Sequence, residues 1–111
     1  MGDSEFLAQA EATLDAIEAA LDKLNDEDMI DVECSRSGNV LEIEFLHNGS
    51  KIIVNSQAAM KELWVASRSG GYHYRQVEGQ WINTRDGSEM LASLSEMVSA
   101  QGGAPVVITA G

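Results

Sequence analysis

Cysteine occurs once, at Cys34, so the chain has neither an internal disulfide nor a cysteine-based metal knuckle. Proline also occurs once and glycine ten times, which excludes a collagenous or proline-rich disordered chain. Apolar runs stop at three or four residues, too short to cross a membrane as a helix. The N-terminus lacks a basic region followed by an apolar stretch, so no leader peptide is expected. A reducing, cytoplasmic setting is the expectation. Bases are scarce, 7 against 18 acids, which makes nucleic acid and anionic membranes poor partners, because both are held through Lys and Arg. The chemical motifs that are missing also narrow the field. There is no EF-hand loop, HExxH pair, two-His-one-carboxylate set or phosphate-cradling glycine loop.

What remains is a 111-residue chain, 44% hydrophobic and 23% charged, as expected for one soluble domain over residues 1–111. Its net charge of −11 is unevenly placed. Residues 1–44 hold 13 acids against Lys23 and Arg36, a balance of −11, while residues 45–111 hold five of each sign. Cations and basic protein patches suit such a surface.

The spacing of Phe6, Ala10, Leu14, Ile17, Leu21 and Leu24 predicts a helix from about Ser4 to Leu24, with Ser4 as its N-cap. Glu11, Asp15, Glu18 and Asp22 fall within an arc of about 60° beside that apolar face. Two pairs, Glu11–Asp15 and Glu18–Asp22, set like charges four residues apart, which costs roughly 0.2–0.5 kcal/mol each. The stripe continues into Asp26, Glu27, Asp28, Asp31 and Glu33. A solvated acidic face is one reading. The other is a weak, exposed site for hard cations, which favour carboxylate oxygens.

Alternation then predicts strands at Ile30–Cys34, Leu41–Phe45, Lys51–Asn55, Glu62–Ser67, Tyr72–Arg75 and Gln80–Asn83. Ser35–Asn39, Asn48-Gly49, Ser69–Gly71 and Glu78-Gly79 are the turns. A last helix is expected over Ser88–Gln101, stopped by Gly102-Gly103, with an apolar tail from Ala104 to Gly111 either frayed or lying between the helices. No connection is long enough for a crossover. The expected fold is therefore α+β: a two-layer α/β sandwich with two helices packed on one face of an antiparallel sheet of five to six strands.

The uncovered sheet face then holds the interesting side chains. Asn55, Gln57, Trp64 and His73 fall on outward positions or just beyond a strand end. An outward Trp is a natural interface anchor. The alternative is a strand phase shifted by one, with Trp64 in the core. His47 reads as a surface turn residue, Cys34 as an inert inward thiol, and Tyr72 and Trp81 as core or rim.

The segments Asp3-Ser4-Glu5-Phe6, Asn48-Gly49-Ser50-Lys51-Ile52-Ile53-Val54-Asn55, Leu63-Trp64-Val65-Ala66 and Gly70-Gly71-Tyr72-His73-Tyr74 resemble the frataxin family along nearly the whole chain. The resemblance implies an αβ sandwich that binds Fe²⁺ and Fe³⁺ weakly on an acidic ridge. It implies docking on the cysteine desulfurase of iron–sulfur assembly and control of cluster formation on the scaffold protein. It carries the ridge to Glu11, Glu18, Asp22, Asp31 and Glu33, extended by Asp15, Asp26, Glu27 and Asp28. It carries the exposed sheet residues to Asn55, Gln57 and Trp64, with His73 beside them. Iron is the expected metal, with other divalent cations as substitutes. A monomer is expected, with oligomerisation under iron load. No conventional enzyme is expected; the rival reading is an iron chaperone or store with weak ferroxidase activity, and a third is an acidic adaptor that needs no metal.

Overall fold

A computed structural model of the chain describes residues 2–109. Helix α1 (Asp3–Asp26) is followed by six strands: β1 (Val32–Ser37), β2 (Val40–Phe45), β3 (Lys51–Gln57), β4 (Glu62–Ser67), β5 (Gly70–Val77) and β6 (Gln80–Asn83). Helix α2 (Met90–Gly102) closes the order. The strands form one antiparallel sheet in the sequential order β1-β2-β3-β4-β5-β6. Every strand therefore pairs with its neighbours in the chain, as the short connections require.

The core lies between the helices and one sheet face. Helix α1 buries Phe6, Ala10, Leu14, Ile17 and Leu21, the face predicted from their spacing. Leu41, Ile43, Phe45, Ile52, Val54, Leu63, Val65 and Tyr74 meet them from the strands, and Met90, Leu94 and Val98 from α2. Trp81 packs edge-on against Phe6, with ring centroids 5.9 Å apart.

Several boundaries depart from the alternation pattern. Helix α1 is capped by Gly2 rather than Ser4, and no side chain bonds at that cap. Helix α2 starts two residues later than expected, because the Glu89 carboxylate accepts the Leu91 and Ala92 backbone N–H groups and so sets its first turn. Strand β1 starts after Ile30 and runs on to Ser37; only Gly38 and Asn39 turn, with Gly38 at φ 57°. Strand β3 extends through Ser56 and Gln57, which a polar composition disguises as a loop. Strand β5 begins at Gly70, because Gly70 and Gly71 pair with Ser67 and Ala66 instead of turning.

The tail packs rather than frays as far as the structure describes it. Val106 and Ile108 are buried. Ser99 Oγ accepts the Val106 N–H at 3.0 Å and donates to its carbonyl at 3.1 Å. Ser95 Oγ accepts the Ile108 N–H at 2.8 Å. Ala110 and Gly111, the end of the predicted tail, lie outside the described residues, as does Met1.

Candidate functional site

Helix α1 lays its acidic stripe alongside the β1 edge of the sheet. Glu11, Asp15 and Asp22 are exposed and Glu18 is half-buried. Asp26 ends the helix; Asp28 and Asp31 stand exposed in the connection, and Glu33 is exposed on β1. The two elements are close enough for their charges to interact. The Cys34 thiol is pushed up to about 12, by burial first and then by the carboxylates of Asp22 and Glu18. Such a thiol stays protonated and is a poor nucleophile.

Sequence spacing alone did not reveal Arg36. From β1 its guanidinium reaches the Asp15 carboxylate, and its Nε bonds the Gly38 carbonyl. Asp15 is the only ridge carboxylate with a basic partner among the described residues. Among the described residues, no three His, Cys, Asp or Glu side chains converge closely enough to hold a metal ion. The ridge is an open field of negative charge.

The second constellation occupies the sheet face away from the helices. Register aligns Asn55, Trp64 and His73 in one row across β3, β4 and β5, and Gln57, Glu62 and Arg75 in the next. Leu63 and Val65 point into the core, so Trp64 points out, with the phase predicted from alternation. It is half-buried, as are Asn55 and Gln57, while His73 is exposed. The Trp64 and His73 rings stack at 4.3 Å with 7° between their planes.

Glu62 and Arg75 belong to this face and were not singled out in the sequence. Glu62 is only 4% exposed although it points away from the core. One carboxylate oxygen accepts the Trp64 indole N–H at 2.9 Å, and the other accepts the Arg75 guanidinium at 2.9 Å. His73 Nδ1 lies 3.6 Å from the first oxygen. Burial alone would raise the Glu62 carboxyl; the indole bond, the guanidinium and His73 together hold it below the ordinary carboxylate value. The signal for Glu62 was its period-two spacing from Trp64, but its partner Arg75 lies on another strand.

The other candidates stay apart from both constellations. His47 is exposed beside Asn48. Trp81 is in the core, its indole N–H bonded to Thr13 Oγ1 at 3.0 Å, and Tyr72 is at the rim.

Residues 1–104 match the frataxin-like domain family. A protein of Janthinobacterium sp. (strain Marseille), named iron-sulfur cluster assembly protein CyaY, is 69% identical over 108 residues, 97% of this chain and 96% of that one. One of the same name from Herminiimonas arsenicoxydans is 64% identical over the same shares. Among solved structures, frataxin from Psychromonas ingrahamii superposes with a TM-score of 0.81 at 33% identity, covering 98% of this chain and 99% of that one. Trimeric frataxin from Saccharomyces cerevisiae, complexed with ferrous iron, superposes with a TM-score of 0.73 at 26% identity over 86% of each chain.

Proposed function

The chain belongs to the frataxin-like family, and we propose that it regulates iron–sulfur cluster assembly by docking on the cysteine desulfurase and its scaffold protein, binding iron weakly on the way. The observation that carries this reading is the pairing of two unlike surfaces. The α1–β1 ridge is a field of carboxylates in which only Asp15, among the described residues, has a basic partner. The sheet face beside it presents Trp64, His73, Asn55 and Gln57. The ridge steers encounter with a basic patch, since complementary charge acts on the rate of association. Trp64 then anchors the complex, as interfacial Trp commonly does.

Iron is cargo in this scheme. Glu11, Asp15, Glu18, Asp22, Asp26, Asp28, Asp31 and Glu33 offer oxygen ligands suited to Fe²⁺ and Fe³⁺. Because nearly all are exposed, water screens each contact and affinity is low. In a second reading the ridge delivers or stores iron with weak ferroxidase activity; the ferrous complex of the yeast relative supports the iron binding that both readings share.

The deciding measurement is desulfurase-driven cluster formation on the scaffold, with and without this protein, across a series of fixed iron concentrations. A rate change that persists at every iron level supports the regulator. A change that vanishes when iron is saturating supports delivery. No change at any level overturns both.

A further inference from the structure

A buried carboxylate on the solvent side of an open sheet is unusual, because an unpaired buried charge is strongly disfavoured. Glu62 is tolerated there because both oxygens are used, one by the Trp64 indole and one by the Arg75 guanidinium. Trp64 has a single polar group, its indole N–H, and that group is committed to Glu62. The indole plane in turn sets the His73 ring, stacked on it at 4.3 Å. Arg75, whose side chain is 58% exposed, is drawn to the same carboxylate from the neighbouring strand. One side chain therefore ties together an aromatic plate, an imidazole and a guanidinium across the β4–β5 hairpin.

We propose that Glu62 is the positioning residue of this recognition face: it holds Trp64, His73 and Arg75 in one array before a partner arrives. The proposal rests on the docking reading for its effect on binding, but not for the array itself. Side chains ordered before contact are not ordered at the cost of affinity, so the benefit appears in the lifetime of the complex. The on-rate, set by the ridge charges, should stay the same.

The test uses the intact chain and the two indole N–H signals of Trp64 and Trp81 in nitrogen-resolved NMR spectra. Trp81, bonded to Thr13 on the other side of the sheet, is the internal reference. In E62A, exchange of the Trp64 indole proton with water should quicken about tenfold while that of Trp81 holds. Dissociation from the desulfurase–scaffold complex should also quicken about tenfold, with an unchanged on-rate. E62Q keeps an oxygen for the indole but not the charge for Arg75, so it should restore Trp64 protection and part of the lifetime. Acceleration of both indoles together would mean general loosening and overturn the assignment. So would a Trp64 signal in E62A that exchanges as in the parent, or an altered indole with an unaltered off-rate. If the parent protein fails to bind the complex at all, the docking reading falls. The exchange data still decide whether Glu62 orders the array.

Discussion

Trp81→Ala should cost about 3–5 kcal/mol of stability, because that ring fills the core against Phe6. Trp64→Ala should cost less, about 1–3 kcal/mol, because its ring lies on the open face and the main loss is the indole N–H bond to the buried Glu62 carboxylate. Urea denaturation of the two variants checks both numbers. A large loss at Trp64 would return that side chain to the core. Residue 64 was legible because Leu63 and Val65 fix the strand phase on either side of it. Glu62 was not, because its partners Arg75 and His73 lie on the neighbouring strand, and cross-strand register cannot be read from one strand. The lowered Glu62 value also predicts a pH effect. A carboxyl whose folded value lies below its unfolded one stabilises fully above about pH 4.3, the unfolded value, and loses that contribution as pH falls through the folded value. The stability difference between the parent and E62Q should therefore be present at neutral pH and shrink on acidification, in urea titrations run from pH 7 downward. Cys34, with its thiol near 12, should resist alkylation at pH 8 until the protein unfolds.

Within α1, the two like-charged pairs place repulsion on the helix, and among the described residues only Asp15 of the four carboxylates has a basic partner, Arg36. Replacing Glu18 and Asp22 together by Ala should raise stability by a few tenths of a kcal/mol. It should also weaken the NMR shifts that Fe²⁺ or Mn²⁺ induce around residues 18–33. Undiminished shifts in that region would place metal elsewhere. In α2, Ser95→Ala removes the acceptor of the Ile108 N–H from a buried site. A stability loss of about 1–3 kcal/mol is expected in thermal or urea unfolding. The helices were legible from their apolar spacing, and β2 and β4 from strict alternation. The ends of β3 and β5 were not, since Ser56 and Gln57 read as a polar link and Gly70 and Gly71 as a turn. They join the sheet because the strands alongside them supply hydrogen-bond partners. Helix α2 likewise takes its start from Glu89, whose capping role depends on the fold of the preceding turn.

Across the whole molecule, the charge of −11 is gathered in residues 1–44, over α1, β1 and β2, and its self-repulsion opposes the compact state. Raising salt from low to moderate ionic strength should therefore raise the melting temperature, and Mg²⁺ should do so at lower concentration. A melting temperature that stays flat would mean the carboxylates do not act on one another. The segregation of charge was fully legible in the sequence. Its pairing with the Trp64 face required the sheet register, which sets the two surfaces on one molecule at fixed separation.

The sequential order of the sheet also governs how the chain comes together in time. Each hairpin joins segments only a few residues apart, so loop closure is cheap for all five pairings. A nascent chain leaving a ribosome can zip strand by strand. Helix α1, made before the strands, waits with its apolar side uncovered until they arrive. The seal comes last. Val106 and Ile108 reach their places on α2 only after α2 itself has been made. A chain truncated after residue 104 should accordingly keep the meander with α1 on it, yet be cut more readily by protease along α2, where Ser95 and Ser99 lose their bonds to Val106 and Ile108.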